Sequence, residues 1–434
     1  MTPGSARTDP ANPIFISYRH SDGTDITAEL AWLLRAAGIP VWRDRDDLPP
    51  GDTEARLAQA IASGIAGAVL VITPDIGNSR IVRALEAPQL FELHQQNETF
   101  ALGIANAVKT ESGQADYNAP DHLLGFPTGT LSGVDQRSAD RENLVSLVSR
   151  MAAHRIASLR DRVKADDQTF HLSVQTRNTP QVYDRTGDEL DIRLRPSADQ
   201  RLPSAEGLQD LKDTLDFLPD AVTRSGARHV RVAGGAHLCV AFALGAALPS
   251  SRVGHMEVVD HSGATWASAG EAQFPSQPRI QVVSEGRNPS ALSLGRPTVA
   301  VYADLLPTRS DAAYTRYIEQ QEPFLSAWRH LTHTTNLLID PSEAGLIAAE
   351  IVAHIRALSD ENANADIHLM LRCPFPLAVL VGRLTNTLRL TLYEWDDSDP
   401  VEGEDFRPRY VPALRVHTSA GGGVIRDVLL PDRT

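Results

Sequence analysis

At 434 residues the chain is too long for one ordinary core, so two or three domains are expected. Its composition, 42% hydrophobic and 22% charged, is that of a globular protein, and no apolar run, the one at 377–381 included, approaches the roughly 18 residues of a membrane span. A net charge of −14 argues against a general DNA or RNA binder, which needs a basic surface, and leaves open a small phosphorylated ligand in a local pocket.

Residues 1–12, rich in Pro, Ser and Thr, read as a disordered tail without the apolar stretch of a signal peptide. From 13 to 165, β and α patterns alternate. A strand at 14–17 precedes a helix with Leu30, Leu33, Leu34 and Ala37 at i, i+3, i+4, i+7 spacing, which Gly38 ends. A strand at 39–42 and a loop at 44–52 lead to a helix with Leu57, Ala58, Ile61, Ala62 and Ile65 on one face. The segment 68–72 is apolar at every position, the mark of a parallel strand covered on both faces. A helix starting near 78 carries Glu86 on its second turn. The last helix of this region, with Leu144, Leu147, Val148 and Met151, continues through Ile156 and Leu159 and fades at 164–168, where we place the domain boundary.

Two further α/β regions follow, at 166–278 and 279–434. The first holds a strand at 170–174, a Pro- and Asp-rich excursion, and a helix with Leu208, Leu211, Leu215 and Leu218 in register. A strand at 229–232 then runs through Ala233-Gly234-Gly235-Ala236-His237 into a helix at 238–248, followed by a strand at 255–260 and a Ser-, Gly- and Pro-rich connector. The second region shows strands near 280–283 and 298–302, a helix near 312–328, a strand at 335–339 and a helix at 342–358. A strand at 367–371 reaches the turn Arg372-Cys373-Pro374-Phe375-Pro376, then come a helix at 377–384 and a closing strand at 388–395. The shared order of elements makes these regions two related halves in architecture; no sequence identity links them. The fold class expected for the whole chain is α/β.

Phe15-Ile16-Ser17-Tyr18-Arg19 ends a buried strand in hydroxyl, aromatic and cationic groups, and a strand end beside a helix with a lone acid is how an open α/β sheet builds a small-molecule site. Glu86 is the candidate catalytic group, able to stabilise positive charge on a ribose as a glycosidic bond breaks, or to hold ribose hydroxyls. Taken alone, a helix glutamate is more often solvated. Tyr18 and Arg19 suit a phosphate or a base, and Asp44 suits either its own loop cap or a ligand contact.

Gly234 and Gly235 let a backbone approach a ligand closely, and a helix N-terminus favours an anion. His237 suits a phosphate or base contact, or a packed cap. Pro374 and Phe375 repeat that geometry. Tyr393 and Trp395 fall on one side of a strand, as stacking faces for adenine or as core aromatics. Cys239 and Cys373 are too few for a disulfide framework and read as buried small hydrophobes, consistent with a reducing cytoplasm. The 14 histidines do not cluster with acids or cysteines at ligand spacing, so no metal site and no cofactor is expected.

Residues 14 to about 160 resemble a Toll/interleukin-1 receptor (TIR) domain. The resemblance rests on Phe15 to Arg19 as the first box, the Trp42 strand, Asp44-Arg45-Asp46-Asp47-Leu48-Pro49-Pro50-Gly51 as the second-box loop, and the approach from Thr73-Pro74 through Ser79 to Glu86. Enzymatic members hydrolyse NAD+ to nicotinamide and an ADP-ribose product. The resemblance therefore implies a flavodoxin-like parallel sheet, NAD+ as substrate, Glu86 as the catalytic acid, and Tyr18, Arg19 and Asp44 lining the pocket. Many members carry an aromatic where this chain has Val82, a departure that bears on the packing of that helix. In this family a neighbouring protomer often completes the site through the second-box loop, and Pro49-Pro50-Gly51 suits a stiff loop of that kind.

Residues from about 169 to 425 resemble a SAVED domain, two fused CARF-like Rossmann halves that sense cyclic oligonucleotides in bacterial antiphage signalling. The segment 233–237 with its following helix matches best, and the second half matches by pattern only. The order TIR then SAVED implies a cytoplasmic effector of a cyclic-oligonucleotide antiphage system (CBASS): an NAD+ hydrolase switched on by a cyclic oligonucleotide, with cyclic tri-adenylate favoured. Gly234, Gly235, His237, Pro374, Phe375, Tyr393 and Trp395 would hold the ligand. Binding would drive self-association into a homo-oligomer or filament, with neither a nucleic-acid polymer nor a membrane as partner. Two other readings remain: a non-enzymatic TIR scaffold that recruits another effector, and a TIR cyclase that makes a cyclic ADP-ribose signal.

Overall fold

The computed structural model describes residues 8–43, 64–177, 187–197, 201–268, 277–292, 295–397, 408–419 and 423–431. The loop expected at 44–52, and with it Asp44, lies outside these residues, as does most of the helix expected at 57–65.

The first sheet begins with β1 (Ile14–Ser17), buried throughout, which pairs in parallel with β2 (Val41–Arg43) on one side and β3 (Gly67–Ile72) on the other. Helix α1 (Thr24–Ala36) joins β1 to β2 and buries Leu30, Leu33 and Leu34 as their spacing requires. After β3, a turn at Val82–Glu86 leads into α2 (Ala87–Gln96). Then come β4 (Ala101–Asn106), α3 (Ala119–Leu124), β5 (Asp135–Ser138) and the long α4 (Arg141–Ala165). The order β2-β1-β3-β4-β5, all parallel, is the flavodoxin-like doubly wound arrangement.

β4 and β5 are additions to the sequence reading. Within the stretch expected to be a tail, residues 10–12 make contacts. Arg155 of α4, 4% exposed, donates to the carbonyls of Pro10 (2.6 Å), Ala11 (2.7 Å) and Asn12 (2.9 Å), so residues 10–12 are pinned in place.

The second sheet contains β6 (Thr169–Gln175) and β7 (Leu190–Arg193). It continues past α5 (Ala205–Thr214) and α6 (Leu218–Ser225) with β8 (His229–Gly235), α7 (Leu238–Ala247), β9 (His255–Val259) and β10 (Thr265–Ala267), in the order β10-β9-β8-β6-β7. β10 lies inside the stretch expected to be a connector.

The third sheet takes β11 (Ile280–Arg287), β12 (Thr298–Asp304), α8 (Ala312–Gln321), β13 (Ala327–His333) and α9 (Ala344–Glu361). β14 (Asp366–Arg372), α10 (Phe375–Arg383), β15 (Leu390–Asp396), β16 (Arg409–Val416) and β17 (Ile425–Val428) complete it, in the order β11-β13-β12-β14-β15-β16-β17.

Two expectations fail in this third sheet. The segment 335–339 is not a strand; the strand is β13, which overlaps the expected helix only at Ala327 and Trp328 and ends before 335, and Leu337 and Leu338 stand exposed in the turn beyond it. β15 does not close the sheet, because β16 and β17 follow. The described residues divide into two compact units, one within 1–173, 179–193 and 220–227, the other within 174–178, 194–219 and 228–434.

Helices α7 and α10 form the centre of the second unit. They begin with matched backbones, His237 at φ −58°, ψ 146° and Pro374 at φ −57°, ψ 144°. Each carries a glycine in its last turn where the two main chains meet. A Cβ on Gly245 would sit 1.9 Å from the Val379 carbonyl oxygen, and one on Gly382 would sit 2.1 Å from that of Phe242. Glycine inside a helix costs about 1 kcal/mol against alanine, so close packing must offset that loss twice.

Helix α7 is buried from Cys239 to Ala247, and a helix apolar all round belongs inside a core. Its ends are satisfied by α10 and β15. Glu394 Oε1 accepts from the Cys239 amide at 2.6 Å, and the buried Arg383 guanidinium donates to the carbonyls of Leu248 (3.4 Å), Gly254 (2.9 Å) and Val253. An acid at the start and a cation at the end both complement the helix dipole. Burial alone pulls the Arg383 pKa down to about 10.

A second core cluster gathers Tyr302, Tyr314, Tyr317, Met370 and Tyr410, with Tyr393 against it. Inside it, His368 Nδ1 lies 2.6 Å from the Tyr317 hydroxyl and 3.0 Å from that of Tyr393. Burial lowers the His368 pKa to about 4.

Two outcomes are expected. Gly245→Ala and Gly382→Ala each cost about 3 kcal/mol or more, read as a fall in the urea midpoint of the full chain; wild-type midpoints would refute the backbone contact. The folded pKa of His368 lies below its ordinary 6.5, so the unfolded chain takes the proton first. Its stabilisation is complete above pH 6.5 and drains as pH falls toward about 4. Relative to His368→Gln, the wild type should lose about 3 kcal/mol over that interval in pH-stepped unfolding. A constant difference between the two proteins would remove His368 from that role.

Candidate functional site

Ser17 ends β1 at the carboxyl edge of the first sheet, next to β3, where the strand order reverses direction. Ligands of open α/β sheets bind at that crevice. The Ser17 hydroxyl donates to Glu86 Oε2 at 2.5 Å, and both side chains are buried, at 2% and 5% exposure.

A widened turn brings Glu86 there: between Val82 and Glu86 the chain winds as a π-helix, and the Ala87 amide donates to the Val82 carbonyl. The cause lies in the next residue but one. Pro88 has no N–H to offer, and its ring would strike the Ala84 carbonyl of a regular helix. A wide turn relieves that conflict, and such turns recur at functional sites. Val82, where the TIR resemblance expects an aromatic, is 3% exposed within the core cluster of Ile76, Leu124 and Phe100.

Around this pair the loops after β1 and β3 are laced together. Arg19 donates to the Asp75 carbonyl (2.6 Å), and its Nε lies 3.2 Å from the Asp75 carboxylate. Asp75 also accepts from Ser21 (2.8 Å) and Asn78 (2.5 Å); these bonds, Ser21 first, hold its carboxyl below the usual range. Asp22 accepts from the Thr73 hydroxyl (2.7 Å) and the Asp75 amide (3.0 Å). Arg19 thus grips the β3 loop, while Tyr18, 8% exposed, sets its ring 4.8 Å from that of His20. Sequence reading found Tyr18, Arg19 and Glu86 but gave no role to Ser17, whose position as last strand residue was the available signal, or to Asp75.

In the second unit the two strand–turn–helix junctions lie at the carboxyl ends of β8 and β14. Gly234 has φ +111°, and a Cβ there would lie 2.1 Å from the Val174 carbonyl, so this glycine serves the crossing of the neighbouring strand. Around Gly235, by contrast, nothing lies within 4 Å of a Cβ position. His237 is 1% exposed: its Nδ1 lies 2.8 Å from the Thr176 hydroxyl, which also accepts from the His237 amide at 2.8 Å.

Glu394 acts on the thiols of both Cys239 and Cys373, so the starts of α7 and α10 converge on one carboxylate. Burial raises all three groups, taking Cys373 to about 12. The group that meets the α7 N-terminus is the protein's own Glu394 carboxyl. Arg177 faces that carboxylate and Cys239 electrostatically, and the sequence reading overlooked it. Pro374 and Phe375 are half-buried at the start of α10. Tyr393 belongs to the aromatic core, and Trp395, two residues on, is 42% exposed.

Residues 14–114 match the family model of the TIR domain. Residues 212–416 match that of SAVED, the "SMODS-associated and fused to various effectors sensor domain". The chain is 32% identical over 132 residues to the NAD(+) hydrolase PdTIR of Paracoccus denitrificans (strain Pd 1222), a stretch covering 30% of this chain and 43% of that protein. It thus spans less than half the length of that relative.

Among solved structures, it is similar to the Acinetobacter baumannii Cap4 SAVED/CARF-domain containing receptor with the cyclic trinucleotide 2'3'3'-cAAA (14% identity, TM-score 0.42, 92% of this chain and 99% of that one). It is also similar to the Moraxella osloensis Cap4 SAVED/CARF-domain containing receptor (15% identity, TM-score 0.38, 90% and 98%). Among the described residues no helix is long and apolar enough to cross a membrane. The chain carries a TIR domain at its N-terminus and a SAVED domain toward its C-terminus.

Proposed function

We propose that this protein is a cyclic-oligonucleotide-activated NAD+ hydrolase, a CBASS effector that depletes NAD+ when its SAVED domain captures a cyclic oligonucleotide. The observation that carries the enzymatic part is the buried Ser17–Glu86 pair at the switch point of the TIR sheet. The relative named an NAD(+) hydrolase supports it. The sensing part rests on the SAVED match and on the converging starts of α7 and α10.

The chemistry suits a single carboxylate. Nicotinamide leaves the ribose as a neutral base, so the leaving group needs no proton donor. What the transition state needs is negative charge beside the anomeric carbon as positive charge develops there. Glu86 supplies it, and the Ser17 hydroxyl fixes which oxygen faces the substrate. Tyr18 bounds the pocket and Arg19 holds the β3 loop through Asp75; Asp44, outside the described residues, is a further pocket residue that the TIR resemblance implies. A carboxylate 5% exposed must be uncovered before a nucleotide can reach it, which gives activation a physical meaning.

The cyclic oligonucleotide lies against the open side of Gly235, with Arg177 meeting phosphate and Trp395 stacking on a base. Gly234, His237, Pro374, Phe375 and Tyr393 support that floor from beneath. Cyclic tri-adenylate is the activator suggested by the family resemblance. Ligand binding assembles protomers into a homo-oligomer or filament that completes the TIR sites. It can do so only if the assembled form binds the ligand more tightly.

The test is nicotinamide release by the full chain, with and without a panel of cyclic di-, tri- and tetranucleotides. At least one ring should accelerate release and increase particle size in light scattering; no acceleration by any ring ends the activation scheme. Glu86→Gln should lower turnover by roughly 10²- to 10³-fold while ligand binding persists; retained turnover removes Glu86 from catalysis. Ser17→Ala removes one charge-assisted hydrogen bond of about 1.5–3 kcal/mol, so kcat should fall roughly 10- to 100-fold with KM little changed. A change confined to KM would assign Ser17 to binding instead. Product analysis separates hydrolysis from cyclisation.

A further inference from the structure

We propose that Asp304, Asp311 and His330 form a binding site for a first-row divalent cation, Zn2+ foremost. Their ligand atoms all lie within 4.8 Å of one another. The sheet builds this cluster. His330 of β13 pairs with Tyr302 of β12, and Asp304, two residues along β12, falls on the same face diagonally opposite the imidazole. Asp311 caps the start of α8, on the loop that leaves β12. Linear spacing carries no trace of this arrangement, which is why no metal site was expected from the sequence.

The imidazole is the pointed observation. His330 is 5% exposed, with its ring 4.8 Å from that of Tyr302 and 5.4 Å from that of Tyr314. Its Nε2 is buried without a hydrogen-bond partner among the described residues, as is the Tyr314 hydroxyl. A buried nitrogen left unsatisfied costs about 1–3 kcal/mol, unless something else meets it. Nε2 lies 3.8 Å from Asp311 Oδ1, too long for a hydrogen bond. Four-coordinate Zn2+ with bonds near 2.1 Å needs ligand atoms about 3.4 Å apart, so a small closure suffices. The Asp311 side chain, 48% exposed, can make that movement and offers the cation a path from solvent.

The remaining contacts fit. Asp304 Oδ1 accepts from Arg372 at 2.7 Å, and its Oδ2 accepts from the Ser310 amide at 3.0 Å. Each oxygen keeps a lone pair, and metal-binding carboxylates are normally steadied by such partners. Arg372 and Arg309 are the cations facing the site, set against two carboxylates. One imidazole and two carboxylates leave a fourth position for water, and imidazole selects Zn2+ and its neighbours over Mg2+ or Ca2+.

The experiment uses the full chain, stripped with chelator and titrated with ZnCl2 by calorimetry. The expected result is a tight equivalent per chain, retained through gel filtration, and a rise in Tm with added Zn2+. Asp311→Ala, at a half-exposed position, should keep the metal-free Tm and weaken Zn2+ by at least about tenfold. His330→Gln should do the same and alter the visible spectrum of bound Co2+. Absence of tight Zn2+ binding in the wild type, or unchanged affinity in Asp311→Ala, overturns the proposal. NAD+ cleavage is read by neither arm, so the outcome is independent of the proposed activity.

Discussion

Where α7 and α10 cross, two main chains touch with no side chain between them, and the second unit is arranged around that contact. Gly245 and Gly382 occupy equivalent places in their helices, and each faces a carbonyl of the other helix. With the axes that close, a helix from each half shares one core. The end groups of α7 are then met by residues of the other half, Glu394 at its start and Arg383 at its finish. The first half thus does not satisfy the ends of its own central helix alone. The two helices and the groups at the ends of α7 therefore form one structural body.

The TIR region follows the same economy with different parts. Its loops bond to each other before they meet any substrate: Arg19 to Asp75, Asp22 to Thr73, Ser17 to Glu86. Side chains held by packing and hydrogen bonds in this way keep the Glu86 carboxyl in one geometry.

Much of this was legible in the residues. Uninterrupted apolar runs announced β3 and α7, and the Ser17-Tyr18-Arg19 strand end with Glu86 marked the crevice. The failures have physical causes. β5 reads Asp-Gln-Arg-Ser and lies at a sheet edge, where half-burial asks for no apolar alternation. β13 is buried along nearly its whole length yet carries Arg329, His330, Thr332 and His333, which suppress any apolar pattern. Its neighbour Thr-Asn-Leu-Leu-Ile imitates a strand and is a turn. β16 contains Pro412, normally evidence against an interior strand. A register shift opposite it, between Leu392 and Tyr393, accommodates the missing donor. The Gly-Gly turn was read as one device, but its two glycines divide the work, Gly234 for the adjoining strand and Gly235 for open space.

Five residues wound into one turn, Val82–Glu86, also set an angular offset in the helix that bears the acid. Each residue of a regular helix advances about 100° around the axis, so the extra residue offsets the bearing of Glu86 from that of the residues before the turn. Shortening this turn by one residue would swing the carboxylate off the Ser17 hydroxyl and set the Pro88 ring against the carbonyl four residues back. A deletion of one residue there therefore displaces the carboxylate while every strand of the sheet keeps its sequence.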